Sequence, residues 1–405
     1  MRDRIEPKRG VSFHSCCDGG VLYDAQVRRL YALNPAAALS WLTLHDGTAD
    51  GVTSALVETF GIEETIAHSW AASSLSSFRA LGLTEDSAEI GVNLQISEII
   101  SGPSHNNNDK NFLDQLPPTA TDSQSITVQL LDQRFELSYP TAIGPFLHGL
   151  LHPARAPGLV ATSPTIATIT IRMTESRSGY DIFVGNRPAA RDVVLPALAT
   201  AVEQELVTAA VAATPHLLTL HAGTLRSTVD GLLLVGASGA GKSTLVAAMV
   251  HAGWRYGGDE LALLTRNFNV RPVSLGICIK QNSFGLIERW FAQFTGAPTQ
   301  ARFGRKVRFL ALERGFDEAA ISVVVFPRYA PNAVPQVTRM IGLDGLKRLL
   351  DECVFVPEGF EPEDLTALVQ WHERITYFEV VFTDAEAAAR TVSELIVGND
   401  TLLTQ

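Results

Sequence analysis

Cysteine is scarce in this chain, with four residues among 405, and no two of them form a C-x-x-C pair. A disulfide scaffold and a cysteine-based zinc site are therefore both disfavoured. His14, Cys16 and Cys17 lie close together in the sequence and could suggest a metal site. No second cluster of ligands follows them, so a strand edge carrying small thiols is the simpler interpretation.

Long apolar runs and excess positive charge are also missing. The Ala-rich stretch at 193–213 is interrupted by Glu203 and Glu205, and the start of the chain lacks the apolar core of a signal peptide. The formal net charge is -11, which disfavours a nucleic-acid partner. We therefore expect a cytoplasmic protein with neither a membrane nor a nucleic-acid partner, and homo-oligomerisation stays open.

The length of 405 residues allows two or three domains, each with its own core. Residues 101–123 are rich in Ser, Asn, Asp, Pro and Thr, a composition typical of a flexible linker. The predicted organisation is a small module at 1–90, a linker at 91–124 and a larger domain at 125–405, with parts at 125–214, 215–345 and 346–405.

The first module reads as two strands followed by three helices, which suggests a compact winged-helix-like unit. Strand-like runs at 21–23 and 27–33 flank a turn. Asn34 before Pro35 is typical of a helix start, and Thr48 can cap a second helix. A third predicted helix carries Ile66, Trp70, Phe78 and Leu81 at helical spacing, and Gly82 can close that helix.

The larger domain begins with strand-like runs and continues with alternating strands and helices. Predicted strands lie at 126–131, 135–139, 165–173 and 180–184, before a long helix with apolar residues at Leu195, Leu198, Val202 and Leu206. From about residue 215 the alternation predicts an α/β nucleotide-binding core.

A complete phosphate-loop pattern, G-x-x-x-x-G-K-[ST], lies between the apolar run 232–235 and the helical run 245–250. Strand, glycine-rich loop and helix are the context this motif requires, because backbone N–H groups and the helix N-terminus then face one anion. We expect Lys242 to reach the β- and γ-phosphates of ATP and Ser243 to ligate Mg²⁺. The predicted nucleotide-binding residues are Gly236, Ala237, Ser238, Gly239, Ala240, Gly241, Lys242, Ser243 and Thr244.

Two adjacent acids, Asp259 and Glu260, follow the loop, and His221 precedes it. One carboxylate could accept the proton of an attacking hydroxyl, as an aspartate does in protein kinases, and the other could hold Mg²⁺. We assign the first role to Asp259 and the second to Glu260. His221 could orient the acid or contact phosphate. No LSGGQ-like or N-K-x-D segment follows the loop, which disfavours a transporter ATPase and a GTPase.

These residues together resemble the HPr kinase/phosphorylase family, over about residues 215–265. The matching pieces are His221-Ala222-Gly223, the phosphate loop, and the segment 253–260, where the family has G-x-x-L-x-x-D-D. Ala222 and Glu260 depart from the family pattern, and its C-terminal phosphorylase signature is not recognisable. The resemblance implies an α/β phosphate-loop core with a mixed sheet, and kinase chemistry with ATP and Mg²⁺.

The chain is also similar to HPr-kinase-related enzymes of peptide and natural-product gene clusters. That similarity lies in the segment 271–275, in Lys280 and in the segment 325–328. It implies that Arg271 and Lys280 contact phosphate or acceptor; the alternative is a surface strand with ordinary basic residues.

Residues 1–90 resemble PqqD and related recognition elements for ribosomally made peptides. The matching pieces are Gly20-Val-Leu-Tyr-Asp24, Leu33-Asn-Pro-Ala36, Leu44-His-Asp-Gly47 and Leu81-Gly82-Leu83. In that family a leader peptide adds as a strand beside the sheet and packs against the third helix. The alternative is a module used for dimerisation or packing.

The two resemblances together imply an HPr-kinase-like domain preceded by a small PqqD-type domain. The predicted activity is ATP-dependent phosphorylation of a Ser or Thr hydroxyl on a precursor peptide whose leader is bound by 1–90. Two alternatives stay open: a kinase for a small metabolite, and a non-catalytic, ATP-gated protein that presents peptides to a partner enzyme.

Overall fold

The computed structural model describes residues 5–16, 19–44, 48–87, 122–155, 165–174, 179–228 and 230–402. Most of the predicted linker at 91–124, together with Cys17, lies outside these ranges. The chain divides into two compact units, the first drawn from 1–94 and 339–377 and the second from 95–338 and 378–405. No sequence pattern indicated that 339–377 belongs with the N-terminal module. The predicted domain boundaries stay predictions.

The strands of the described chain are β1 (Val11–Cys16), β2 (Gly19–Asp24), β3 (Arg29–Leu33), β4 (Ser123–Leu130), β5 (Gln133–Pro140), β6 (Thr165–Met173), β7 (Tyr180–Val184), β8 (Arg187–Val193), β9 (Leu218–Leu220), β10 (Ala222–Arg226), β11 (Gly231–Val235), β12 (Arg255–Gly258), β13 (Ala262–Leu264), β14 (Asn269–Pro272), β15 (Ile277–Lys280), β16 (Gln300–Arg302), β17 (Arg305–Leu310), β18 (Ala319–Tyr329), β19 (Gln336–Arg339), β20 (Cys353–Phe355) and β21 (Thr376–Phe382).

The helices are α1 (Pro35–Leu44), α2 (Ala49–Phe60), α3 (Glu64–Ala80), α4 (Gly144–Leu151), α5 (Leu198–Ala212), α6 (Lys242–His251), α7 (Phe284–Trp290), α8 (Gly342–Asp351), α9 (Pro362–His372) and α10 (Ala385–Leu402). Within the described ranges, no helix combines the length and the apolar composition needed to cross a membrane.

The first unit contains an antiparallel sheet in the order β1-β2-β3, packed against α1, α2 and α3. The helix starts are confirmed, because Asn34 Oδ1 accepts a hydrogen bond from the Ala37 N–H at 2.8 Å, and Thr48 Oγ1 accepts one from the Gly51 N–H at 3.3 Å. These local side-chain bonds satisfy N–H groups that have no partner within the helix.

The residues predicted at helical spacing in the third helix are buried only in part. Ile66, Trp70 and Leu81 are 42%, 40% and 38% exposed, whereas Phe78 is buried. The helix instead buries a neighbouring stripe made of Ala67, Ala71, Leu75 and Phe78. Both stripes have helical spacing. We attribute the burial of this second stripe to its two alanines, whose small side chains allow α3 to pack closely against α1 and α2.

The segment 339–377 covers the second face of the β1-β2-β3 sheet. Side chains alternate along β2, so Leu22 enters the core with the first three helices and Tyr23 points the opposite way. The Tyr23 ring lies 4.5 Å from that of Phe360, centroid to centroid, and both residues are buried. On β1, His14 Nδ1 lies 3.2 Å from Thr366 Oγ1 of α9. The sheet therefore has apolar partners on both faces.

The second unit begins with a five-stranded sheet in the order β4-β5-β6-β7-β8. Strands β5 and β6 pair in parallel and the other neighbours are antiparallel. The predicted strands of this region are confirmed with small shifts at their ends. Strand β8 was not predicted, because its sequence, RPAARDV, carries two arginines and an aspartate and lacks apolar alternation.

The main sheet of the second unit is mixed, as predicted. Its strands follow the order β12-β10-β11-β18-β14-β13-β9, and β21 also pairs with β18. Strands β11 and β18 are parallel, while β10 runs antiparallel to β11 and β12. Helices α6 and α10 pack together in one core, which includes Leu232, Leu234, Leu245 and Val392. A smaller antiparallel sheet has the order β15-β17-β16. The fold class is therefore mixed α/β.

Candidate functional site

The glycine-rich loop 236–241 connects the buried strand β11 to the start of α6. Gly239 and Gly241 have φ angles of +100° and +90°, a region that side-chain-bearing residues rarely adopt. Gly241 is also the N-cap of α6, and Lys242 is the first helical residue. The loop therefore leads directly into a helix N-terminus, where the first N–H groups and the helix dipole favour binding of an anion.

Close packing holds the end of this loop. A Cβ atom on Gly241 would lie 2.7 Å from Phe382 Cζ and 2.9 Å from Tyr329 Cβ. The Tyr329 N–H donates to the Ala240 carbonyl at 2.9 Å. In contrast, Ala237 and Ser238 at the middle of the loop are exposed. The loop is thus anchored at its helix end and open to solvent at its centre.

Lys242 and Asp259 form a buried pair beside the loop. The Lys242 side chain is 6% exposed, and its Nζ donates to the Asp259 carbonyl oxygen and lies 3.3 Å from Asp259 Oδ1. Asp259 follows directly after β12 and is 2% exposed. Burial raises the pKa of Asp259, although the Lys242 charge opposes that shift. Within the described residues, Asp259 Oδ2 is buried and has no hydrogen-bond partner.

A chain of charged groups extends from Glu260, the next residue. Its carboxylate oxygens lie 3.4 Å from His221 Nε2 and 3.2 Å from Arg302 Nη1. The same Arg302 Nη1 lies 3.2 Å from Glu203 Oε2. The structure thus brings His221 to Glu260, and the predicted role of this histidine stays a prediction.

The acids of this cluster have different pKa shifts. Partial burial tends to raise the pKa of Glu260, but Arg302 and a hydrogen bond from His221 outweigh it, so the pKa is strongly lowered. Burial raises the pKa of Glu203 to about 7, with Arg302 opposing and the charges of Glu260 and Asp259 adding to the shift. Adjacent acids whose pKa values move apart are suited to different chemical roles.

Sequence reasoning missed Arg302 and Glu203. Arg302 ends β16 and Glu203 lies on α5, far from the phosphate loop in sequence. A signal for Glu203 was present, because it follows Val202 on the buried side of an apolar helix. A charged residue in that position needs a partner. Arg302 had no comparable local signal.

Lys280 and Arg271, the two residues predicted to contact phosphate or acceptor, lie in different parts of the second unit. Lys280, at the end of β15, donates from Nζ to Ser238 Oγ of the loop at 2.9 Å. Arg271 instead donates to both carboxylate oxygens of Asp132 at 2.6 and 2.7 Å. Thr244 Oγ1 lies 3.0 Å from Ser283 Oγ. The structure therefore brings Lys280 to the loop and gives Arg271 a structural partner elsewhere.

Among the described residues, no group of three or more His, Cys, Asp or Glu side chains is arranged to hold a metal ion. The magnesium site predicted at Ser243 and Glu260 stays a prediction. Mg²⁺ is commonly held by one or two carboxylates together with substrate phosphates and water.

Comparisons with known proteins give matches among solved structures, where 31 chains are similar to this one. No family model matches the chain, and no curated protein matches it. One solved structure, described as "Lasso peptide synthetase B1 complexed with the leader peptide", is similar over 20% of this chain and 98% of its own. The identity is 24% and the TM-score is 0.19.

Proposed function

We propose that this protein is an ATP-dependent phosphotransferase of the HPr-kinase type that phosphorylates a Ser or Thr hydroxyl of a ribosomally made precursor peptide. One observation carries the proposal: Lys242 and Asp259 meet at the N-terminus of α6, directly after a glycine loop. A cation, a carboxylate and a helix N-terminus at one point are the groups that phosphoryl transfer uses.

The loop has features that fit a nucleoside triphosphate. Gly239 and Gly241 adopt positive φ angles, and the absence of a Cβ on Gly241 keeps the backbone close to Phe382 and Tyr329. Residues 236–244 would hold the phosphates through backbone N–H groups. Lys280, which contacts Ser238, supplies a second positive charge beside the exposed part of the loop.

Magnesium would be held by Ser243 and Glu260 and would neutralise charge on the transferring group. The lowered pKa of Glu260 supports this assignment, because Arg302 and His221 keep the carboxylate ionised and therefore able to bind a cation.

Asp259 is the proposed proton acceptor. The acceptor oxygen forms a bond to the γ-phosphorus of ATP, the bond from that phosphorus to the β–γ bridging oxygen breaks, and ADP leaves with the electron pair. The hydroxyl proton passes to Asp259. Its raised pKa and its unpartnered Oδ2 support the role, since a proton acceptor needs a free oxygen and a pKa nearer neutrality.

The first unit offers an edge for peptide recognition. Strand β3 pairs with β2 on one side and is the last strand of its sheet within the first unit. An extended peptide can add to such an edge through main-chain hydrogen bonds, with side-chain pockets giving selectivity. Trp70 on α3 is partly exposed and stacks edge-on against Phe60 with ring centroids 6.1 Å apart, and it offers an apolar contact.

A second candidate is a kinase for a small metabolite, in which the N-terminal module serves only for packing. The observation that favours it is the buried contact between Tyr23 and Phe360, which shows the β1-β2-β3 sheet used as a packing surface. Both candidates share the same chemistry at Lys242 and Asp259 and differ in the acceptor.

The test is to incubate the full-length protein with ATP, Mg²⁺ and a short peptide encoded beside it, and to measure the peptide's mass. A gain of one phosphoryl group on a Ser or Thr supports the proposal. Phosphorylation of small hydroxylated metabolites but not of the peptide would favour the second candidate. ATP binding without transfer to any acceptor would favour a non-catalytic, peptide-presenting protein.

A further inference from the structure

An aromatic pair lies against the helix end of the glycine loop. Tyr329 ends β18 and is 49% exposed, whereas Phe382 at the end of β21 is buried. Their ring centroids are 5.7 Å apart, with the planes tilted by 58°. Phe382 therefore supports the Tyr329 side chain from the protein side, while about half of the tyrosine stays open to solvent.

The strand order shows on which side of the loop the aromatic pair lies relative to Asp259. Asp259 follows β12, and Tyr329 ends β18, so in the order β12-β10-β11-β18 they lie on opposite sides of β11 and its loop. The end of the triphosphate that reacts must face Asp259. The nucleoside end must then leave the loop on another side, and Tyr329 is an exposed aromatic residue on the β18 side.

We propose that Tyr329, supported by Phe382, is the surface on which the nucleobase of the nucleoside triphosphate stacks. The inference rests on the proposed function, because it requires a nucleotide at the loop. A half-exposed ring on a buried aromatic support suits stacking, which every base can provide through its π face. The site would therefore recognise the presence of a base more than its identity.

The Tyr329 main chain has a different role from its ring. Its N–H donates to the Ala240 carbonyl and helps to anchor the loop. A Tyr329→Ala substitution removes the ring and keeps this hydrogen bond, so it separates base stacking from support of the loop. Tyr329→Phe keeps the ring and is the matched control.

The experiment measures binding of MgATP and of inorganic tripolyphosphate by calorimetry, with the full-length protein and both variants. Tripolyphosphate carries the phosphates without a base. We expect Tyr329→Ala to weaken ATP binding about tenfold, as for other base–aromatic stacks, with tripolyphosphate affinity and melting temperature unchanged. Tyr329→Phe should bind both probes as the wild type does. GTP should lose affinity to the same degree as ATP.

Three other outcomes would overturn the inference. If Tyr329→Ala weakens ATP and tripolyphosphate equally, the ring supports the loop and does not contact the base. If ATP binding is unchanged, the base lies elsewhere and the proposed function is unaffected. If the wild-type protein binds neither probe, the nucleotide site itself is wrong and both proposals fail.

Discussion

At the scale of single residues, the adjacent acids Asp259 and Glu260 have opposite environments. Asp259 is buried beside Lys242, and burial raises its pKa. Glu260 is 34% exposed in its side chain and lies beside Arg302 and His221, which lower its pKa despite partial burial. Two carboxylates that differ by one position in sequence thus differ in their readiness to take up a proton.

The first prediction separates these two acids. Asp259→Asn should abolish phosphoryl transfer and retain ATP binding, because an amide cannot accept the hydroxyl proton. Glu260→Gln should chiefly raise the Mg²⁺ concentration needed for half-maximal rate. Single-turnover rates and a Mg²⁺ titration measure both effects. Asp344→Asn, an exposed aspartate on α8, is the control for the chemical change. Full activity in both variants would mean that the acids are only structural.

A second prediction concerns Glu203 and pH. Burial raises its pKa to about 7 in the folded protein, above that of an exposed carboxyl group. The folded state therefore holds this proton more tightly than the unfolded state, and the stabilisation is lost as pH rises through the folded pKa. Between about pH 5 and pH 8, the free energy of unfolding of the wild type should fall relative to that of Glu203→Gln.

Urea denaturation at several pH values measures this difference. Glu205→Gln is the matched control on the same helix, because Glu205 pairs with Arg187 at 3.2 Å and takes no part in the buried cluster. The control should follow the wild-type profile. If the Glu203→Gln and wild-type profiles run parallel, Glu203 stays ionised throughout and the account of this cluster is wrong.

The limits of sequence reasoning at this site follow from how the residues are connected. Lys242 and the acids at 259–260 could be predicted because one loop, one helix and one strand link them. Arg302 and Glu203 could not, because they reach Glu260 from β16 and α5, and only tertiary packing joins those elements. The pairing of Arg271 with Asp132 could not be predicted either, because tertiary packing joins two residues that are far apart in the sequence.

At the scale of secondary-structure elements, helix starts were predictable and helix orientation was not. Asn34 and Thr48 each accept a hydrogen bond from an N–H group three residues further on, so the local sequence is enough to predict them. The buried face of α3 depends on which stripe its neighbours can approach. The exposed Trp70 is the consequence, and it offers a specific test of peptide recognition.

The third prediction is that Trp70→Glu raises the KM for the precursor peptide at least about tenfold with kcat little changed, because exposed tryptophans often dominate interface energies. Steady-state kinetics with the full-length protein measure the effect. Leu42→Glu, at an apolar position on α1 that is 49% exposed against 40% for Trp70, is the control and should keep the wild-type KM. An unchanged KM for Trp70→Glu would remove this surface from the recognition site and favour the metabolite kinase.

At the scale of the whole molecule, the segment 339–377 matters for how the N-terminal module is tested. Deleting residues 1–90 would remove the sheet that Phe360 and Thr366 contact, and would expose the apolar side of that segment. Loss of activity after such a deletion would not distinguish peptide recognition from damage to the first unit. Substitutions in the full-length chain are therefore the appropriate experiment.

The central claim is that the loop preceding α6 transfers a phosphoryl group, and Lys242 tests it most directly. The measurement is the rate of ADP formation coupled to acceptor phosphorylation, for the wild type and for Lys242→Met, which keeps most of the side-chain volume beside Asp259. Removing a charge that stabilises the transferring group should lower the rate by about 10²–10³-fold, with circular dichroism and melting temperature showing a folded protein. A folded Lys242→Met variant that transfers phosphate at the wild-type rate would contradict the account.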